Sequence, residues 1–399
     1  MSKLNTLFSG TACKYLSAVD ATAKSNQHEI GSNKFKVILG DPGGTKLRFD
    51  AAFVLFSESS DESLNVNDTV TYYDSRFANP NRGQELRLYY RDNAVTEKIK
   101  EGDFCLVAKC TNERLLIAFA PVDSVHERRL RHLFKLNISS QEGWTVEPQT
   151  SSEELSLASR SILDALGLDV PESGTSQFEE LLEPFGMIFP KTSIFSLLAR
   201  NATQIEVDPL RKPDETLEEW MRIEEILFKT LENKIVKLRI DQGFNSVEDF
   251  VSFSLSVQNR RKSRVGHALE NHLEAIFIAN KVKFQRGAKT EGNAKPDFLF
   301  PDAISYHDIN FDAKNLRMLA AKSTCKDRWR QILIEAARIK VKHLFTLETA
   351  ISSNQTDEMV AHNVQLIVPP SVAGTYSETQ QKQLLSLSEF IQVARSGQN

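Results

Sequence analysis

Asp297, Lys322 and Glu335 are the side chains of this 399-residue chain whose types and spacing point to chemistry. Asp297 follows Pro296 at the head of the apolar run Phe298-Leu299-Phe300, and Lys322 closes a second apolar run, Leu319-Ala320-Ala321. An acid at the start of one strand and a lysine at the end of another is a common layout for metal-assisted phosphodiester cleavage. The carboxylate holds a hard divalent cation such as Mg²⁺, which polarises the phosphoryl group and brings a water close to its hydroxide form. The ammonium orients that water or stabilises charge on the phosphorane-like transition state. A second acid two residues before the lysine would complete the pattern, but that position is Ala320. Glu335 is the candidate replacement. The run from Asp327 to Lys340 reads as a helix, with Trp329, Ile332, Leu333, Ala336 and Ala337 on one apolar face. Asp327 then sits in its first turn, where an acid suits the positive end of the dipole, and Glu335 projects back toward the end of the Lys322 strand. A Pro-Asp pair alone recurs by chance; the acid, the lysine and the displaced glutamate together are moderately specific.

These residues must be carried by an α/β core. Ser263 to Ala279 reads as a helix burying Leu269, Leu273, Ile276 and Phe277, with Glu270 and Glu274 one turn apart. Either glutamate is an ordinary surface residue unless it points toward Asp297, where it would complete a cation site. A longer helix starts at Pro213-Asp214-Glu215 and runs toward Leu238, with Leu217, Trp220, Ile223, Leu227 and Leu231 near one face. Val341 to Leu347 and Val364 to Val368 read as further strands, and Ser377 to Ala394 as a terminal helix.

The front of the chain is different. Phe35 to Leu39, Ala51 to Phe56, Thr69 to Tyr73, Glu85 to Tyr90, Phe104 to Lys109 and Leu115 to Phe119 are short runs rich in aromatic and branched residues. Turn formers such as Asp41-Pro42-Gly43-Gly44 separate them, which predicts a barrel or sandwich. Val125 to Lys135 reads as a basic amphipathic helix. Arg76, Arg82, Arg87 and Arg91 stand among tyrosines and could contact phosphates and guanine edges, although a solvated edge strand with snorkelling arginines is the commoner meaning of such a pattern. Gly167 and the run Pro171 to Ser176 form a polar, turn-rich stretch that predicts a linker or hinge. The expected organisation is therefore residues 1–165, a linker at 166–185, and 186–399.

Composition sets the outer bounds. With 41% hydrophobic residues and 24 phenylalanines the chain can build real cores. No apolar run approaches the length of a membrane span and no signal-peptide pattern opens the chain, so a soluble, cytoplasmic protein is expected. Cys13, Cys105, Cys110 and Cys325 form no CxxC pair, which fits a reducing compartment and argues against zinc. The net charge of −4 hides a segregation. Residues 153–259 hold 10 basic and 20 acidic side chains, and residues 260–345 hold 18 basic and 9 acidic. Phosphate contacts dominate non-specific DNA affinity, so DNA is expected along the basic segment, with the acidic one facing away from it or covering it.

The runs NRRKSR (259–264), EGNAKPDFLFP (291–301), NLRMLAAKSTCKDRWRQIL (315–333) and HLFTL (343–347) resemble the catalytic domain of the EcoRII restriction endonucleases. That family has the same migration of the acid, so Ala320 agrees with it. The resemblance implies a multidomain fold: an N-terminal, mostly-β DNA-binding pseudobarrel and a C-terminal α/β restriction-endonuclease-like domain of the PD-(D/E)XK kind. It implies Asp297, Lys322 and Glu335 as the catalytic set, Mg²⁺ held by Asp297 and Glu335 with Glu270 or Glu274, and Lys326, Asp327 and Arg328 as the segment reading guanine and cytosine edges. Trp220 or Arg222 would stack on a base extruded from the centre of the site, the plainer reading of Trp220 being a core residue.

The same resemblance implies that the N-terminal domain binds a second copy of the site as an allosteric effector and relieves autoinhibition. His28, Arg76, Arg82, Glu85 and Arg87 are its DNA-contacting candidates. Here there is one extra residue between Arg76 and Arg87, and Leu86 replaces a lysine of the family pattern. The implied activity is a type II deoxyribonuclease acting at CCWGG or a close variant and leaving 5′-phosphates. A palindromic site calls for a homodimer, and a cytosine methyltransferase acting on the same site would protect the host. Two other readings stand beside it: a modification- or structure-dependent nuclease with the same core, and a DNA-binding regulator with a decayed nuclease domain.

Overall fold

The computed structural model describes residues 3–21, 29–57, 63–79, 81–138, 143–168, 170, 176–203 and 207–398, the side chains of 176, 177, 326 and 327 excepted. The chain divides into two compact units, Met1–Pro171 and Glu172–Asn399.

The first unit is mostly strand. Its elements are β1 (Phe8–Tyr15), β2 (Glu29–Gly31), β3 (Leu47–Phe56), β4 (Ser63–Asp74), β5 (Leu86–Tyr90), β6 (Phe104–Cys110), β7 (Leu115–Ala120) and β8 (Thr145–Pro148), with helices α1 (Val125–Phe134) and α2 (Leu157–Ala165). They form one eight-stranded sheet in the order β2-β5-β4-β3-β7-β6-β1-β8. Only β3 and β7 run parallel; the other pairs are antiparallel. β7 is buried along its whole length, as expected of a strand covered on both faces. One face packs Phe53, Val70, Leu88, Val107 and Ile117; the other packs Val54, Leu106 and Ala118 against Leu130, Leu133 and Phe134 of α1 and Ile162 of α2.

The expected strand from Phe35 to Leu39 is not one. Asn33–Phe35 is a 3-10 turn in which Ser32 Oγ accepts the Lys34 amide, and Lys36–Leu39 continues it as a helical turn ended by Gly40 at φ 82°. Phe35, Ile38 and Leu39 are all buried, and their spacing of three and four is helical rather than alternating. β1 was not expected either, because its Ser, Gly and Thr lack a strand-like composition. Gly10 is needed there: a Cβ would come within 2.3 Å of Ile38 Cγ2.

The second unit opens with helices α3 (Ser176–Leu182), α4 (Thr192–Ala202), α5 (Pro213–Gln242) and α6 (Val247–Ala279). The expected linker is thus helical over its second half, where Phe178 and Leu182 pack on Ile223 and Leu227 of α5. Helix α6 begins at Val247, well before the expected Ser263, because Ser246 caps it through the Asp249 amide. The strands are β9 (Gln285–Arg286), β10 (Phe298–Phe300), β11 (Arg317–Lys322), β12 (Lys342–Thr346) and β13 (Val364–Ile367), followed by α7 (Ser353–Ala361, between β12 and β13) and α8 (Leu387–Ser396). They form a mixed sheet in the order β13-β12-β11-β10-β9, antiparallel from β9 to β11 and parallel from β11 to β13. The core is aromatic: Phe277 of α6 meets Phe284, Phe298, Phe300 and Phe390 of α8 edge-on or tilted at 5.3–6.2 Å.

The expected terminal helix from Ser377 to Ala394 is two pieces, Glu378–Gln381 and α8. Leu385 leaves the helical path to exchange backbone hydrogen bonds with Leu366 and Val368 beside β13, and Ser386 with Glu389 restarts the helix through a capping box. Among the described residues no helix is long and apolar enough to cross a membrane.

Candidate active site

The antiparallel register pairs Phe298 with Leu319, so Asp297, just before β10, faces the far end of β11. Its Oδ2 accepts the Ala321 amide at 2.7 Å and Lys322 Nζ at 2.8 Å. The acid and the lysine expected from sequence therefore meet. Ala320 is fully buried in β11 between them.

Glu335 joins them by a different route from the one expected. Residues Lys326–Ile334 form a 3-10 helix and Glu335 leaves it with extended backbone (φ −82°, ψ 142°). Ala336 then turns left-handed at φ 49°, so no helix runs on to Lys340. The apolar spacing is real, since Trp329, Ile332 and Ala336 are buried, but the backbone groups of 335–337 are taken by other elements. Ala336 N–H donates to Thr290 Oγ1 at 3.4 Å and Ala337 N–H to Glu291 Oε2 at 3.1 Å. Lys342 Nζ donates to the carbonyls of Glu335 (2.5 Å) and Ala336 (2.6 Å).

Oε2 of Glu335 is buried and has no hydrogen-bond partner among the described residues. Burial pushes the Glu335 carboxyl above the ordinary carboxylate range; the Lys322 ammonium opposes that shift, the Asp297 charge adds to it, and Lys342 opposes it. Two carboxylates and an ammonium thus act on one another across a small site.

Glu270 and Glu274 of α6 are both engaged elsewhere. Arg286 of β9 takes Glu270 Oε2 at 2.7 Å, Glu274 Oε2 at 2.9 Å and Asn271 Oδ1 at 2.8 Å. Among the described residues no group of three or more His, Cys, Asp or Glu side chains is arranged to hold a metal ion.

Arg328 is exposed on the 3-10 helix beyond Lys322, while the Lys326 and Asp327 side chains lie outside the described residues. Trp220 is 7% exposed, inside the packing of α5, with the Arg200 guanidinium 5.8 Å from its ring and His272 beside it. Arg222 is held by Glu219 through two bonds of 2.7 Å.

In the first unit Arg76 Nε lies 2.8 Å from Glu85 Oε2 and Arg87 Nη2 lies 3.3 Å from Glu85 Oε1. Arg87 also pairs with Glu29, which accepts from the Tyr73 hydroxyl. Arg82 is exposed on the turn between β4 and β5, and His28 lies outside the described residues. Glu29 and Tyr73 complete this cluster without having been expected, and so do Thr290, Glu291 and Lys342 around Glu335. A lysine at the head of the apolar run His343-Leu344-Phe345 was the available signal for the last.

The charge segregation of the sequence does not separate in space as expected. Arg264 of α6 pairs with Glu225 of α5, and Arg261 Nη2 lies 2.6 Å from Glu232. His272 Nε2 lies 2.9 Å from Glu224 Oε2, both fully buried. Part of the basic excess is neutralised by the acidic helix beside it, because desolvated charges on packed helices must pair.

Residues 228–391 match the family described as EcoRII C terminal. The chain is 44% identical over 227 residues to the type II restriction enzyme EcoRII of Escherichia coli, a match covering 56% of this chain and 55% of that protein. It thus spans about half the length of that relative. Two solved structures are similar to it. Metal-depleted Ecl18kI with uncleaved, modified DNA has 18% identity and a TM-score of 0.45, covering 56% of this chain and 84% of that one. The PspGI–substrate DNA complex has 13% identity and a TM-score of 0.40, covering 58% and 97%.

Proposed function

From the premise that this chain is EcoRII-like, with the EcoRII C-terminal domain over residues 228–391, we propose that it is a type II restriction endonuclease hydrolysing both strands of duplex DNA. The observation that carries this reading is the convergence of Lys322 on Asp297 at 2.8 Å, beside the partnerless buried oxygen of Glu335.

The residues fit a hard divalent cation. Such an ion takes carboxylate oxygens, Asp297 and Glu335 bring two carboxylates to one place, and an orphaned buried oxygen calls for a positive partner. Mg²⁺ bound there would polarise the scissile phosphoryl group and lower the pKa of a water. Glu270 joins this set only if Arg286 releases it. Lys322, held on Asp297 in the free protein, orients the attacking water and stabilises charge gathering on the phosphoryl oxygens. Ala321 N–H fixes the Asp297 carboxylate, so the acid need not reorganise as the substrate arrives.

Recognition falls to Lys326, Asp327 and Arg328, which follow Lys322 closely enough to read the base edges beside the cut, at CCWGG or a near variant. Trp220 and Arg222 are the candidates for holding an extruded central base. Residues 1–165 form the pseudobarrel effector domain that binds a second copy of the site through Arg76, Arg82, Glu85 and Arg87, with His28 in its N-terminal arm, and relieves autoinhibition across the stretch between residue 165 and α3. Glu29 and Glu85 hold Arg76 and Arg87 ready for phosphate or guanine. A two-fold site is met by a homodimer, and a cytosine methyltransferase of the same specificity protects the host.

Digestion of one-site and multi-site plasmids with Mg²⁺, followed by sequencing of the ends, tests this reading. Discrete fragments with 5′-phosphates, faster from the multi-site plasmid, are expected. Unmodified DNA left intact would refute it.

A further inference from the structure

We propose that Lys342 is a positioning residue for cleavage, fixing the backbone from which Glu335 projects; this rests on the nuclease reading of Asp297, Lys322 and Glu335. Lys342 opens β12 and is 5% exposed. A buried ammonium is retained only where its hydrogen bonds are well met. Its two acceptors are successive carbonyls, those of Glu335 and Ala336. A single cation drawing two neighbouring carbonyls to one point fixes the peptide plane between them.

That peptide plane is not one the chain adopts unaided. Ala336 has φ 49°, a left-handed conformation that residues with a Cβ rarely take. Such a conformation persists where its surroundings over-determine it, and it tends to occur at functional sites. Lys342 holds the carbonyl side of the turn, while Thr290 and Glu291 accept the amides of Ala336 and Ala337 on the other side.

The Glu335 side chain lacks comparable anchors. Its Oε2 has no hydrogen bond among the described residues, so the aim of the carboxylate is set by the turn below it. Lys342 therefore acts through Glu335, with no contact to the reacting atoms required. An unbranched neutral side chain in its place would fill the same space and leave the turn unclamped.

The test compares Lys342→Met with wild type by single-turnover cleavage, DNA affinity in Ca²⁺, and amide hydrogen exchange without metal. The expected result is a cleavage constant lowered on the order of 100-fold, as for a misplaced catalytic group, with DNA affinity unchanged. Exchange in the peptide carrying residues 335–337 should rise on the order of tenfold, as for loss of a charge-assisted hydrogen bond, while β11 and α6 stay protected. Wild-type cleavage overturns the inference, and so does exchange that rises across the whole unit. If Lys342→Met does not fold, Glu291→Ala serves, because Glu291 is exposed and holds the same turn through Ala337. The same local rise and rate loss are expected of it, and wild-type behaviour in both overturns the inference. A wild-type protein that leaves DNA uncut refutes the nuclease reading instead.

Discussion

Lys322 Nζ lies 2.8 Å from Asp297 Oδ2, across an antiparallel strand pair that brings together residues 25 apart in sequence. The pair is charge-assisted and only partly exposed, so each group holds the other in place before any ligand arrives. Removing the ammonium leaves Asp297 with the Ala321 amide and, on the proposed nuclease reading, takes away a positive group from the phosphoryl charge. Lys322→Ala should therefore lose on the order of 10³-fold in single-turnover cleavage. DNA affinity in Ca²⁺ should fall far less. Equal losses in both would show that the lysine only binds phosphate.

Glu335 contributes in the opposite sense to stability. Its raised pKa, caused first by burial, means the folded protein holds a proton that the unfolded chain has already released. Stability from this group therefore falls as pH rises from the ordinary carboxylate value through the raised one. Glu335→Gln removes that penalty. The variant should melt higher than wild type at neutral pH, approach it as the pH falls to the ordinary carboxylate value, and cleave no DNA. A variant that melts lower at neutral pH would mean that the carboxylate is satisfied in a way the structure does not contain.

Much of this site was legible in sequence and part of it was not, for a physical reason. Asp297 and Lys322 could be read because each ends an apolar run, and strand ends place side chains at a sheet margin. Glu335 could be named but not its setting. The spacing of Trp329, Ile332 and Ala336 says only that one side is buried, whereas hydrogen bonds to Thr290 and Glu291 and from Lys342 decide that the backbone turns at 336. Lys342 lay inside the expected strand from Val341 to Leu347, where nothing set it apart. The same limit appears at Phe35 to Leu39, where aromatic and branched residues suggest a strand and the Ser32 cap makes a helical turn. Charge counts along the chain likewise could not foresee that Arg264 would spend its charge on Glu225.

That pairing gives a prediction of its own. Arg264 is 6% exposed, stacks 4.3 Å from the Phe228 ring centroid and meets Glu225 across the α5–α6 interface. Against burial, its charge and then that of Lys229 hold the Glu225 carboxyl below the ordinary range. Arg264→Ala should destabilise the second unit by about 2 kcal/mol, because it removes the stacked guanidinium and leaves Glu225 only the longer pairing with Lys229 at 3.6 Å. In a double-mutant cycle with Glu225→Gln the coupling should exceed about 1 kcal/mol. Additive losses in chemical denaturation would reduce the pair to a surface contact.

His343 makes the same unit sensitive to acid. It lies in β12, 4% exposed, with its ring 5.1 Å from that of Phe390 and with Nδ1 buried and unpartnered. Burial lowers its pKa from 6.5 to about 4, and the Arg317 charge acts in the same direction. The unfolded chain therefore takes up a proton near pH 6.5 that the folded protein refuses until about pH 4. Between those values the unfolded state binds more protons, so stability falls as pH drops through that window and is independent of this group above it. The full loss is about 3 kcal/mol at 1.36 kcal/mol per unit. His343→Leu keeps an apolar side chain of similar size and has no proton to take up. Its melting temperature should decline less steeply than that of wild type between pH 6.5 and pH 4, with the two curves running parallel above pH 7. Matching slopes in the acid range would mean that another buried group governs acid unfolding.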